Sequence, residues 1–300
     1  MNSVEKNDAE VSGSQTNSER HNEEKPFLKV FVHSFFIIPF LIAVFCVLLF
    51  TGIHLLTQEK KSVYDYLEDV KTGGLTKRWQ GAFELSKIVA NPRHVPKEER
   101  FINELTKIFE QSRHDDNRVR QYLALAMGRT GNPVFTDIII KGLSDEKEES
   151  VAALIYALGM LKDGKAAESV TAYADHPNAR IRSVAVVALG ALGSPDSIQI
   201  LKNKLGDSEP NVQWGAAISL AQMGDPSGKE IIRQLMDRRY LTRFPEIDAN
   251  ETNHLMMAAI EASSILKDEN LMDQIKNLSV TDQNMKVRSA ALECLNNGDE

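Results

Sequence analysis

Few of the chain's reactive side chains lie at spacings that build a site. A helix-borne metal centre needs two His, or a His and a carboxylate, about one turn apart so that both point the same way. None of the seven His residues pairs with another at that spacing, and no His-Glu dipeptide occurs. His114-Asp115-Asp116 brings ligand types together, yet it sits in a polar turn before a helix, where such residues act as caps or face solvent. Phosphate cradles need a Gly-rich loop running into Lys-Ser or Lys-Thr; Gly164-Lys165 and Gly228-Lys229 stand alone, so nucleotide binding has no support. Cys46 lies in an apolar run and Cys294 in the last helix, which predicts no intrachain disulfide and suits a reducing compartment. No catalytic, cofactor-binding or metal-binding residue is expected from these types, and no cofactor or small-molecule substrate.

The elements around these residues follow a repeat. Gly128, Gly159, Gly190 and Ala221 lie 31 residues apart, and Thr130, Leu161, Leu192 and Met223 keep the same register. A period of this length marks stacked helical units. Each begins with small and aliphatic residues in fixed columns (Ile181 to Val186 in one unit, Val212 to Ala217 in the next) and reaches the Gly or Ala where a neighbouring helix approaches closely. A breaker follows: Asn132-Pro133, Ser194-Pro195 and Asp225-Pro226, or Asp163-Gly164. Asn, Ser or Asp before Pro predicts a cap and the first turn of a second helix. The apolar residues of these second helices, such as Ile138, Ile139 and Leu143 or Ile231, Ile232 and Leu235, recur at helical spacing. Trp79 aligned with Trp214 adds a first unit, with its second helix from Phe101 to Phe109. Leu255 to Leu278 adds another after an insertion, and Lys286 to Leu292 opens a last helix that reads as a cap. The whole amounts to about six helix pairs and that single helix.

The phrase Val-Arg-x-x-Ala-Ala-x-x-Leu-Gly, followed by Gly-(Asp/Asn/Ser)-Pro and matched best from Ala179 to Leu205, resembles the short HEAT-like repeat found also in phycobilisome lyases. The resemblance covers most of the chain after about residue 72. It implies an all-α solenoid of stacked two-helix repeats, with second helices lining an inner curve. It also implies that the column Arg120, Arg182 and Arg288, with Arg78 near it and Val151 and Gln213 as departures, forms rungs to inter-repeat Asp or carbonyl groups. Deoxyhypusine hydroxylases, which also carry HEAT-like repeats, hold a di-iron site with His-Glu pairs, and this chain lacks all of them.

Ahead of the repeats, Phe27 to Leu56 is almost wholly apolar, and from Phe35 to Phe50 its one polar group is the Cys46 thiol. About 20 apolar residues cross a bilayer, so this is expected to be a single transmembrane helix, bent at Pro39. A cleaved signal would show a basic start, a shorter run and a small-x-small site, which are lacking. The expected organisation is a disordered polar tail over 1–26, the span over 27–56, a juxtamembrane linker or helix over 57–72 and the repeat array over 73–300. Arg20, Lys25 and Lys29 before the span and Lys60, Lys61 and Lys71 after it balance each other, so charge gives no orientation. A reducing side is preferred on the thiols, with the array in the cytoplasm at a bacterial inner membrane.

A net charge of −7 argues against nucleic acid, which would select a basic face. The expected partner is a protein associated with the membrane, held on the repeat surface. Candidate contacts are Lys202 and Arg233 on the second helices, and Arg238, Arg239, Tyr240, Arg243 and Phe244 in the insertion that breaks the period, since Arg and Tyr are frequent anchors. The chain is expected to be a membrane-anchored scaffold or accessory subunit and not an enzyme. The alternative is a lyase or isomerase related to phycobilisome-lyase-type proteins.

Overall fold

The computed structural model describes residues 31, 33–57, 61–144 and 148–297; the tail over 1–26 lies outside them. Two compact units divide the chain, one up to Lys60 and one from Lys61 onward. In the first, a π-helical turn His33–Ile37 leads into α1 (Ile38–Thr57). Ser34–Ile53 is long and apolar enough to cross a membrane, judged by length and composition.

Among its described residues the second unit consists of helices joined by turns and short loops, as the repeat period requires. α2 (Val63–Thr72) precedes α3 (Leu75–Ile88), and Val63, Leu67 and Val70 of α2 are buried. First and second helices then alternate: α4 (Glu99–Gln111), α5 (Asn117–Arg129), α6 (Thr136–Leu143), α7 (Glu148–Leu161), α8 (Ala167–Thr171), α9 (Ala179–Leu192), α10 (Ser197–Lys204), α11 (Pro210–Gln222) and α12 (Lys229–Leu235). After them come α13 (Arg238–Leu241), α14 (Ala249–Leu266), α15 (Glu269–Thr281) and α16 (Met285–Asn297). The first helices α3, α5, α7, α9 and α11 pack side by side in chain order, and α14 and α16 continue the row. This is an α-solenoid of stacked helical repeats.

Close approach of these helices explains the glycine column. A Cβ on Gly159 would stand 3.0 Å from the Ala188 Cα, and one on Gly128 2.9 Å from the Ala157 Cα, so a larger side chain would push backbone from backbone. The breakers work in two steps. Asn132, Asp163 and Asp225 each accept a hydrogen bond from the backbone N–H two residues on, capping a short 3₁₀ turn from which the second helix grows. Gly193 ends α9 at φ +66°, a left-handed position that favours glycine. The core forms two adjoining clusters, from Val63 to Leu220 and from Trp214 to Cys294.

Candidate functional site

The arginine column does the structural work the repeat pattern implies. Arg182 donates to both oxygens of Asp207, at 3.0 and 2.8 Å, and to the carbonyls of His176 and Pro177. Arg78 pairs through one nitrogen with one oxygen of Asp115, Arg120 donates to the Phe109 carbonyl, and Arg288 to that of Asp282. Hydrogen bonding from Arg182 holds the Asp207 carboxyl below its ordinary range. The His114-Asp115-Asp116 cluster is thereby accounted for: Asp115 is a rung, and Asp116 caps α5 through the Arg118 N–H.

One rung comes from an unexpected place. The Ser219 hydroxyl donates to the Val186 carbonyl, and the Cys294 thiol to that of Ile260; aligning these pairs puts Met256 of α14 where α9 has Arg182. Met256 is buried, and Arg238 from the insertion takes over the bond. Its guanidinium reaches both oxygens of Asp282 at 2.7 Å and Asn253 at 2.8 Å. Burial acts to raise the Asp282 carboxyl, but Arg238 and the Asn284 N–H overcome it, and the group rests below its ordinary range.

The insertion, expected as a loop, begins as the helical turn α13, capped by Asp237 through the Arg239 N–H. Its aromatic residues close over Trp214. The indole N–H donates to the Tyr240 hydroxyl at 3.2 Å, and Phe244 stands edge-on to the indole with ring centres 4.8 Å apart. Arg243 lies over the Tyr240 ring, 5.8 Å from its centre. The candidates thus divide. Arg238, Tyr240 and Phe244 are committed to the chain's own packing, while Arg233, Arg239 and Arg243 are exposed. Arg233 bonds to Glu230 on its own helix, and Arg239, 93% exposed, has Asp237 at 3.5 Å. Lys202 lies apart on α10 and pairs with Asp225 at 2.8 Å, which brings that carboxyl down to about 2.

Arg233, Arg238 and Arg239 meet Gln274, Asn277 and Thr281 of α15 around a cleft of about 490 Å³ between consecutive second helices. It combines guanidinium donors with amide and hydroxyl groups, with the carboxylates of Asp237 and Asp282 engaged by Arg239 and Arg238 and with Met236 and Leu278 at its wall, and it opens to solvent. Such a lining suits carboxylate and backbone groups of a peptide. The sequence marked the arginines, but Gln274, Asn277 and Thr281 were missed. They sit on an ordinary polar helix face, and only the stacking of α12 against α15 brings them to the cleft.

A family description of HEAT repeats matches residues 102–190 and again 167–243. Among solved structures, the chain is similar to the complex of CpcE and CpcF of phycocyanin lyase from Nostoc sp. PCC7120, with 21% identity and a TM-score of 0.56 over 81% of this chain and 96% of that one. The fold is HEAT-like. The likeness to the CpcE and CpcF complex is one of fold. Further similarities are to YibA of E. coli (17% identity, TM-score 0.45, 80% of this chain and 83% of that one) and to human deoxyhypusine hydroxylase in complex with glycerol (12%, 0.35, 79% and 96%). No curated protein sequence matches.

The likeness to the phycocyanin lyase complex corrects the flat expectation that the chain is not an enzyme, because a protein of similar fold is itself a lyase. The physical reason is that a solenoid distributes its surface groups over successive repeats, one or two per unit. Reactive side chains on such a surface lie far apart in sequence, so a search for compact motifs has no power to exclude them.

Proposed function

We propose that this HEAT-like chain holds a protein client on its repeat surface while an apolar helix anchors it in a membrane, with the array on the reducing side of a bacterial inner membrane. The observation that carries the reading is the convergence of Arg233, Arg238 and Arg239 with α15 amides on one open cleft at the break in the repeat. An acidic, extended segment of a membrane-associated protein fits that chemistry: its carboxylates meet guanidinium groups and its backbone meets Asn277 and Gln274. Arg239 and Arg243 are the anchors free to turn toward it, and Arg238 fixes the wall they stand on. Lys202, its ammonium held on Asp225, stands apart from this cleft.

The second reading has the wider fold comparison behind it. The similarity to phycocyanin lyase spans four-fifths of the chain, and it favours lyase or isomerase chemistry on a group carried by the held client. Both readings share the client. Crosslinking in native membranes with mass spectrometry, on the wild type and on the Arg233→Ala/Arg239→Ala/Arg243→Ala variant, tests it. The expected result is a protein crosslinked to α12–α15 in the wild type and lost at least tenfold in the variant. Crosslinks that ignore the substitutions would sink the cleft as the site. A client recovered with an altered prosthetic group in cells holding the chain, and an unaltered one in cells lacking it, would establish the lyase reading.

A further inference from the structure

The face of the first helices carries a second surface that the client cleft does not use. At the 31-residue step, Leu125, Tyr156, Val187 and Ile218 occupy the same outward position of α5, α7, α9 and α11. Phe83 of α3 extends the row, its ring 5.1 Å from that of Tyr122. A position that faces solvent on a stacked helix ordinarily carries a polar side chain. Here Tyr156 is 48% exposed and Val187 43% exposed, while Phe83, Leu125 and Ile218 beside them are half-buried. In the next two first helices the position changes character: the alignment of Ile260 with Val186 and of Cys294 with Ser219 places Glu261 and Glu293 in the row, both exposed. One turn further along the helices, the leading end carries exposed Lys87 and half-buried Arg129, whose guanidinium also donates to the Ser86 carbonyl at 2.7 Å.

An apolar middle with a basic end and an acidic end is complementary to itself when reversed. We infer that this face is the interface of an antiparallel dimer, with a second copy of the chain as its occupant and the two-fold axis passing beside Val187. Across that axis α9 meets its own counterpart, Tyr156 meets Ile218 of the second copy, and Lys87 and Arg129 face Glu293 and Glu261. An isologous contact of this kind needs a self-complementary patch. The size is adequate: helices about 9 Å apart and about 20 Å long give roughly 800 Å² from α3 to α11, near the area a stable interface takes from each partner. Lys87 now bonds to Glu84 at 3.0 Å on an exposed helix face, a weak pair that exchanges readily.

The full chain in detergent, measured by light scattering against concentration, tests the inference. A dimer is expected that weakens at least tenfold with Val187→Glu, which sets two carboxylates against each other, and with Tyr156→Glu. Glu293→Lys should weaken it too, and Lys87→Glu in the same chain should restore it. Because a residue on the axis meets itself, Val187→Cys in a Cys46→Ser/Cys294→Ser background should oxidise to a covalent dimer, whereas Lys202→Cys on the second helices should not. If a glutamate variant loses helicity, the cysteine pair decides alone. A monomer at all concentrations, a dimer held by the apolar helix and indifferent to these substitutions, or equal crosslinking at Val187→Cys and Lys202→Cys would overturn the inference.

Discussion

Arg238 shows how one side chain changes meaning between sequence and structure. As part of an Arg- and Tyr-containing insertion it reads as a binding anchor; in place, it holds Asp282, whose side chain is 2% exposed. Removing one partner of a buried pair leaves the other charge unsatisfied. Arg238→Ala is therefore expected to cost about 2–3 kcal/mol of stability, less than a fully buried pair because the arginine is partly solvated; urea unfolding measures it. Arg239→Ala, which removes an exposed side chain 3.5 Å from Asp237, should leave the urea midpoint unchanged. The acid side of the stability profile follows from the same pairs. Asp207, Asp225 and Asp282 all have lowered folded-state values, so their contribution is complete above the unfolded carboxylate value of about 4 and is lost as pH falls through the folded values. For Asp225, which sits at about 2, that window runs from about 4 down to about 2. Substituting Lys202→Met should shift the acid unfolding midpoint upward, and circular dichroism during acid titration would show no shift if the pair were idle.

At the scale of elements, the repeat was legible because its physical demands fall on residue type. Close helix approach requires Gly or Ala at one column, and the turn requires Asn, Asp or Ser before the breaker, so both survive as a period. Gly159→Val should force α7 from α9, costing about 1–3 kcal/mol by overpacking, or more if the backbone cannot yield; thermal unfolding compares it with the same change at exposed Gly206, where a Cβ meets no closer atom than 3.8 Å. What escaped the sequence was anything set by register between neighbouring units. The insertion carries no repeat signal, so nothing local tells that Arg238 replaces the rung missing at Met256, or that Tyr240 and Phe244 roof Trp214. The same holds for Gln274, Asn277 and Thr281, which are unremarkable on α15 until α12 lies beside them. The outward apolar row was present in the period all along, but an aliphatic column counts as core until burial separates Tyr156 and Val187 from their neighbours.

The whole molecule is a series of contacts between successive units, and its two tryptophans fall in different stretches of that series. Trp79 belongs to the first pair, beneath the Arg118 guanidinium 4.5 Å from its ring, while Trp214 is sealed in the trailing cluster at 1% exposure. A structure whose units touch only their neighbours need not melt as one body. The two indoles therefore act as separate lamps in the leading and trailing clusters: loosening of the roof over Trp214 would redden one emission while the other stays unchanged, so opening, docking and release can be followed in each cluster without adding any label.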